Sequence, residues 1–140
     1  MRTALDTNVI SVLWSKEPAH SVVVSALAGA SSEGGIVISA VVYAELLAHP
    51  KVTEEGVNGF LDETGIFVDF DLQKPVWLNA GHRFARYAER RRRSGSEAPR
   101  RLLTDFVIGA HALTAADRLM ALDPKRYERD FPELKLVKPF

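Results

Sequence analysis

The sequence predicts an α/β protein with three layers, in which helices cover both faces of a mostly parallel central sheet of about five short strands. Short apolar runs alternate with longer segments of helical periodicity along the whole chain, and this alternation is typical of strand–helix–strand units. The composition, 46% hydrophobic and 26% charged, is that of an ordinary globular protein. The 140 residues show no internal repeat and no linker. We therefore expect a single domain, residues 1–140.

The elements follow one another with recognisable start and stop signals. The predicted strands are short apolar runs at residues 3–5, 36–38, 66–70, 119–122 and 134–137. The predicted helices are segments of helical periodicity at residues 9–14, 18–30, 41–47, 53–61, 73–92 and 102–113, with a turn or helix from Pro124. Thr7 or Asn8 is a candidate cap for the first helix, and Ser39 for the third.

Composition also limits the compartment and the classes of site. The chain has no cysteine, so it has neither a disulfide framework nor a thiolate metal site. No apolar run approaches the roughly 20 residues that a membrane helix needs, and polar residues interrupt the N-terminus before a signal sequence develops. We therefore expect a cytoplasmic protein without a membrane partner.

The formal net charge is zero, but the charge is unevenly distributed. Residues 83–101 contain eight arginines and two glutamates, so this segment has a net charge of +6 and the rest of the chain one of −6. Such asymmetry is typical of proteins with a nucleic-acid or acidic protein partner. The six arginines that are candidates for a nucleic-acid contact are Arg90, Arg91, Arg92, Arg93, Arg100 and Arg101. A solvated helix end and a docking surface for an acidic partner are the alternative interpretations of the same segment.

Four acidic residues are candidates for one site. Asp6 and Asp123 follow predicted strands, Glu45 belongs to the helix after the second strand, and Asp105 lies in the first turn of a late helix. Because strand ends of a parallel sheet meet at one edge, we expect these acids to gather there. Clustered carboxylates repel one another unless a cation neutralises them, and oxygen ligands alone suit Mg²⁺ or Mn²⁺.

Each acid also has a simpler interpretation. Asp6 is compatible with a helix cap, and Glu45 with an ion pair to an arginine. Asp105 is also what the dipole of a helix start favours. Asp123 precedes a proline as many turn residues do, and Asp117 competes with it for a place in the site. The pattern alone leaves these alternatives open.

Four stretches together resemble a known family. They are Leu5-Asp6-Thr7-Asn8, Ala44-Glu45-Leu46, the run from Asp105 to Ala112, and the run from Ala116 to Asp123. Taken in this order and spacing, they are similar to a PIN domain, in particular to a VapC-type toxin of a toxin–antitoxin pair. The resemblance spans nearly the whole chain and includes the closing residues 131–134.

The resemblance implies an activity and a set of functional residues. It implies a Mg²⁺- or Mn²⁺-dependent endoribonuclease in which Asp6, Glu45, Asp105 and Asp123 form an acidic quartet that holds the metal and activates water. The neighbouring polar residues that would support the quartet are Thr7, Asn8 and Thr104. The implied partners are an RNA substrate, an antitoxin protein and a second copy of the chain in a homodimer.

One departure and two rival classes bear on this interpretation. Ala121 stands where many relatives have a hydroxyl residue two positions before the last acid, so Asp123 lacks that support. A haloacid-dehalogenase-like phosphatase needs a second aspartate where this chain has Asn8, which argues against that class. The remaining rival is a non-catalytic RNA- or partner-binding domain that uses the basic segment from Arg83 to Arg101.

Two further residues are expected to be structural. His111 is six residues after Asp105, which places it on a different part of the helix surface, so we interpret it as a packing or polar-network residue. We expect Trp77 in the core or at an interface, and its match to the apolar periodicity of its helix favours the core.

Overall fold

The computed structural model describes residues 1–15, 20–95 and 100–140. The strands of its sheet are β1 (Thr3–Leu5), β2 (Ile36–Ser39), β3 (Phe67–Asp69), β4 (Arg118–Met120) and β5 (Leu136–Val137). The helices are α1 (Thr7–Trp14), α2 (His20–Glu33), α3 (Ala40–Leu47), α4 (Glu54–Thr64), α5 (Lys74–Ser94), α6 (Leu103–Ala115) and α7 (Lys125–Glu128). The predicted start of the second helix at Pro18 lies outside the described residues.

The five strands form one sheet in the order β3-β2-β1-β4-β5, and every pairing is parallel. β1 therefore lies at the centre, with Leu5 opposite Met120 of β4. The carboxyl ends of the strands meet at one edge of the sheet. Asp6, the residue after β1, lies at this edge, where its backbone N–H donates to the Met120 carbonyl at 3.0 Å. The predicted α/β class with a parallel sheet between helical layers is confirmed.

The core explains why such short strands are stable. Leu5, Val37, Ile38 and Leu119 on the central strands are almost entirely buried, as expected for a parallel sheet covered on both faces. α6 packs on β1, β2 and β4, and α5 packs along α6. This position places the first turn of α6, which carries Asp105, beside the carboxyl ends of the central strands.

The helix starts differ from the sequence prediction at one point. Ser39 caps α3 as expected, because its hydroxyl accepts from the Val42 N–H at 3.3 Å. In α1, however, neither Thr7 nor Asn8 is the cap residue. Asp6 occupies that position, but its side chain makes no capping hydrogen bond. The carboxylate of Asp6 therefore remains available for other contacts.

The core position that the periodicity favours for Trp77 is wrong, and an interface position stays a prediction. The Trp77 side chain is 48% exposed, and its indole N–H donates to the Leu72 carbonyl at 3.1 Å. α5 buries Val76, Ala80 and Arg83 instead. The buried stripe of α5 begins at Val76, one residue before Trp77. The apolar periodicity of the sequence does not distinguish this stripe from the one that contains Trp77. Elsewhere, no helix of the described ranges is both long and apolar enough to cross a membrane.

Candidate active site and the adjoining arginine pocket

Asp6 is a buried carboxylate at the centre of the sheet edge. Its side chain is held by Tyr127 of α7, whose hydroxyl donates to Asp6 Oδ2 at 2.7 Å. Burial raises the pKa of Asp6, while the hydrogen bond from Tyr127 and the charge of Arg126 act in the opposite direction. Burial also raises the pKa of Tyr127, and the Asp6 charge raises it further, so the hydroxyl keeps its proton and donates. Asp6 is thereby fixed in one orientation.

Asp105 lies next to Asp6 and is paired with an arginine of the same chain. Arg126 Nη2 donates to Asp105 Oδ2 at 2.6 Å. Burial opposes the charge of this guanidinium, but Asp105 and Asp6 outweigh burial and the pKa of Arg126 is raised. The charge of Asp105 in turn raises the pKa of Asp6. Arg126 therefore pairs directly with Asp105 and acts on Asp6 through its charge.

Glu45 is connected to the same sheet edge through Thr7. The Thr7 hydroxyl donates to Glu45 Oε1 at 2.7 Å, so the residue that follows Asp6 holds the Glu45 side chain. Asn8 is exposed, and in the described part of the chain its side chain forms no hydrogen bond. The resemblance implies Thr7 and Asn8 as supporting residues beside Asp6. In the structure Thr7 contacts Glu45, whereas the Asn8 side chain is exposed.

Thr104 precedes Asp105 and has an unusual hydroxyl. Its Oγ1 is buried and, within the described ranges, has no hydrogen-bond partner. A buried polar atom without a partner is uncommon in a folded protein, because its desolvation is not compensated. This unpaired oxygen beside Asp105 is what a site awaiting a ligand would contain.

Asp123 lines the cavity next to the acidic site. It is exposed, three residues after β4, and its carboxylate faces a cavity lined by arginines. Asp117, the competing candidate, lies at the opposite edge of the sheet, where its Oδ2 accepts from the Arg2 N–H at 2.5 Å. Asp117 therefore cannot contribute to a site with Asp6.

The acids fit a cation without forming a complete metal centre. Among the described residues, no three acidic or histidine side chains are close enough together to hold a metal ion. The donors that Asp6, Asp105 and Thr104 present are all oxygen atoms, which suit a hard divalent cation. Arg126 already shows that Asp105 binds positive charge here. Asp6, Asp105 and Thr104 are the described residues whose oxygen atoms could hold a divalent ion, and Arg126 occupies Asp105 in this structure.

A cavity of about 620 Å³ adjoins this site. We call it the arginine pocket, after its lining residues Arg90, Arg91, Arg100, Arg101, Arg126 and Arg129. Its wall also includes Tyr87, Asp123 and Asp130. Because Arg126 both lines this cavity and pairs with Asp105, the pocket and the acidic site are continuous.

The structure separates seven of the eight arginines of the basic segment into three groups. Four of the six arginines that are candidates for a nucleic-acid contact line the pocket, but Arg92 and Arg93 lie outside it and pair with Glu89 at 2.5 and 3.0 Å. Arg83 is buried and pairs with Glu133 at 2.5 Å. Only part of the net charge of +6 therefore faces the site.

Sequence reasoning missed the contribution of α7 and its flanks. Tyr127 orients Asp6, Arg126 pairs with Asp105, and Arg129 lines the pocket. The segment after Asp123 alternates basic, aromatic and acidic residues, and this mixture was the available signal. The expectation for His111 is confirmed, since it is buried and pairs with Asp69 at 3.0 Å.

Comparisons with known proteins agree with this architecture. The family model of the PIN domain matches residues 3–132. The structure of VapBC2 from Rickettsia felis bound to a promoter DNA fragment contains a similar chain, with a TM-score of 0.65 and 21% identity over 99% of this chain and 98% of that one.

Two further solved structures contain chains of the same fold. The similar chain of VapBC-1 from nontypeable Haemophilus influenzae has a TM-score of 0.66 and 20% identity, over 99% of this chain and 98% of that one. The similar chain of FitAcB from Neisseria gonorrhoeae has a TM-score of 0.62 and 23% identity, over 98% of this chain and 97% of that one. Among curated proteins, no sequence matches this chain.

Proposed function

The chain belongs to the PIN domain family, and from this premise we propose that it is a divalent-metal-dependent endoribonuclease, the toxin of a toxin–antitoxin pair. The observation that carries the proposal is the pair of carboxylates at the carboxyl edge of the sheet, Asp6 and Asp105, whose charges both act on Arg126. Ligands of open parallel sheets bind at this edge.

In this proposal the metal ligands are Asp6 and Asp105, with Glu45 and Asp123 completing the quartet. When bound, a Mg²⁺ or Mn²⁺ ion would supply an activated water and stabilise negative charge on the phosphate. Tyr127 keeps Asp6 in place through its hydrogen bond, and Thr7 does the same for Glu45. The buried Thr104 hydroxyl has no partner among the described residues, and we assign it the support of a ligand bound beside Asp105.

The arginine pocket supports RNA as the substrate class. Arg90, Arg91, Arg100 and Arg101 surround a cavity that adjoins the acids, and guanidinium groups match phosphate oxygens well. A strand held there would place a neighbouring phosphodiester near Asp6 and Asp105. Such binding is electrostatic and weakens with salt.

The proposal includes two protein partners and a compartment. Similar structures are of VapBC proteins, and another is named a toxin–antitoxin complex from Klebsiella pneumoniae. By analogy, an antitoxin segment would cover the acidic site, where a further arginine would compete with a metal ion for the carboxylates. We extend the proposal to a homodimer that acts in the cytoplasm.

A second candidate function is a non-catalytic RNA- or partner-binding domain. Two observations favour it: the arginine pocket is well formed, and the described acids do not gather into a three-ligand metal group. In this case Asp105 and Arg126 are a structural ion pair. RNA then binds without being cut.

Cleavage of a pool of structured RNAs tests the proposal, with Mg²⁺ or Mn²⁺ and with chelator. We expect Asp6→Asn to lower the cleavage rate by at least about 100-fold, since loss of a ligand exceeds the effect of losing its support. Asp117→Asn is the matched control, because Asp117 is an aspartate of the opposite sheet edge, and it should cleave at the wild-type rate.

Two outcomes would contradict the nuclease. Metal-dependent cutting that persists in Asp6→Asn would show that the acids at this edge are not the reactive site. Equal RNA binding by wild type and variant, with no cutting by either under any metal, would establish the binding domain instead.

A further inference from the structure

The arginines of the pocket differ in whether their charge is compensated. Arg90 pairs with Asp130 at 2.5 Å, and Arg126 pairs with Asp105 at 2.6 Å. In the part of the chain that the structure describes, no carboxylate pairs with Arg91, Arg100 or Arg129. These three guanidinium groups come from different segments and line the same cavity.

The lining of the pocket carries a substantial net positive charge. The lining residues that the structure describes include six arginines and two aspartates, Asp123 and Asp130, which together give a net charge of +4. Like charges held close together repel one another, so the arrangement is stabilised when an anion enters. The volume of about 620 Å³ exceeds what one phosphate needs and falls in the range of sites that hold a whole small ligand. A phosphate with its attached nucleoside fits this charge and size.

Arg126 couples the pocket to the acids. It is the one described residue that both lines the arginine pocket and forms an ion pair with Asp105. Its side chain is about one third exposed, so it has room to move. Asp105 holds the Arg126 guanidinium at the acidic site. An anion in the arginine pocket would attract the same guanidinium toward the pocket.

We propose that the arginine pocket binds a phosphodiester of a single-stranded RNA, and that this phosphate draws Arg126 away from Asp105. The choice of RNA rests on the proposed function, whereas phosphate binding rests on the pocket itself. Exchange of one anionic partner for another leaves Arg126 compensated and leaves Asp105 free. Substrate binding therefore prepares the carboxylates to receive a cation, and by thermodynamic reciprocity the cation favours substrate binding.

The phosphate site is tested by fluorescence anisotropy of a labelled single-stranded RNA oligonucleotide in chelator, where no cutting occurs. We expect Arg91→Gln and Arg129→Gln each to weaken binding by about 5- to 10-fold and to lower the slope of log affinity against log salt by about one. Arg92→Gln is the matched control, because it makes the same charge change on the same helix outside the pocket. We expect it to weaken binding by less than about twofold.

Competition with inorganic phosphate separates a strand from a free anion. If the pocket prefers a strand, millimolar phosphate at constant ionic strength displaces little of the labelled RNA. Full displacement at such concentrations would overturn the assignment to a phosphodiester strand. Equal weakening in Arg91→Gln and Arg92→Gln would overturn the pocket as a site, since only total charge would then matter.

The movement of Arg126 is tested through Mn²⁺ binding measured by calorimetry, with sulfate as a phosphate substitute and chloride at equal ionic strength as the control. Sulfate should tighten Mn²⁺ binding to the wild type by about threefold, a modest coupling. In Arg126→Gln, Mn²⁺ should bind more tightly without sulfate, and sulfate should have no further effect. A sulfate effect that persists in Arg126→Gln, or is absent from the wild type, would contradict the coupling.

Failure of this inference and failure of the nuclease are distinguishable. If no RNA is cut but Arg91→Gln and Arg129→Gln still weaken oligonucleotide binding, the pocket remains and the enzyme is excluded. If RNA is cut in a metal-dependent way while all three arginine variants bind equally, the enzyme remains and the pocket is excluded.

Discussion

Two arginine groups along the same helix have opposite surroundings. In the middle of α5, Arg83 is buried, and its two terminal nitrogens contact Glu133 at 2.8 and 2.5 Å. Its Nε donates to Asn79 at 2.8 Å, and its guanidinium lies 4.7 Å from the centre of the Phe131 ring. Near the end of the helix, Arg91 faces the pocket and pairs with no carboxylate among the described residues. We call Arg83, Glu133 and Phe131 the paired cluster.

The difference shows that the position on the helix decides what an arginine does. Arg83 lies seven residues after Val76 and three after Ala80, so it continues the buried stripe of α5. Arg90 continues the same stripe and is also paired, through Asp130. Arg91 is one position further round and keeps its charge available. Arginines paired with a carboxylate stabilise the fold, and the unpaired Arg91 at the pocket is available to bind a ligand.

The largest expected effect comes from breaking the paired cluster directly. Arg83→Met should lower the free energy of unfolding by about 3 kcal/mol, because it removes the charged hydrogen bonds of a buried guanidinium to Asn79, Glu133 and the Asp130 carbonyl, and leaves that carbonyl without its donor. Arg91→Gln should change it by less than about 0.5 kcal/mol, as for other surface substitutions. Urea unfolding measures both. Similar values for the two variants would erase the distinction between the groups.

A smaller loss of stability is expected when a substitution at Gly109 displaces the Phe131 ring of the paired cluster. A Cβ at Gly109 of α6 would lie 2.6 Å from the Phe131 ring, which supports Arg83. Gly109→Ala should destabilise the fold by about 1–2 kcal/mol, since ring displacement outweighs the gain in helix propensity. Thermal unfolding checks this, with Gly81→Ala as the control, because a Cβ there meets no atom within 4 Å. A stabilised Gly109→Ala would mean that Phe131 adjusts freely.

A third prediction concerns Asp123, which borders the pocket and belongs to the proposed quartet. Asp123→Asn removes a negative charge from the pocket wall, so RNA should bind about threefold more tightly in chelator, as for one partly screened charge. The same variant should cleave more slowly. Weaker binding in chelator would indicate that the Asp123 carboxylate orders the pocket arginines rather than opposing the RNA.

The smallest effect is a pH dependence of the paired cluster. The Arg83 hydrogen bond holds the pKa of Glu133 at about 2, below its ordinary value of 4.5. A lowered pKa contributes stability above the ordinary value and loses it as the pH falls toward the folded value. The Glu133 side chain is 53% exposed, so screening limits the contribution to about 0.5 kcal/mol.

Urea unfolding of the wild type and Glu133→Gln between pH 7 and pH 2 measures this contribution. The stability difference between the two proteins should stay constant down to about pH 5 and then shrink toward pH 2. A difference that does not change with pH would show that Glu133 acts through neutral contacts only.

Much of the candidate site could be predicted from the sequence. Asp6 was placed at a strand end because an apolar run stops there, and Asp105 was placed in the first turn of a helix. Both placements follow from local patterns, and parallel topology then implies that the two acids meet. The pairing of Arg126 with Asp105 could not be predicted, because the two residues are 21 positions apart and only the packing of α7 brings them together.

The sequence by itself determined the order of strands and helices, the apolar core and the family, since these depend on periodicity and short motifs. The tertiary structure alone decided which charges compensate one another: that Arg83 is structural, that Asp117 lies at the wrong edge, and that Arg126 joins the acids to the pocket. The physical reason is that periodicity is a local property of the chain. Charge pairing depends on distances of a few ångströms between segments that only folding brings together.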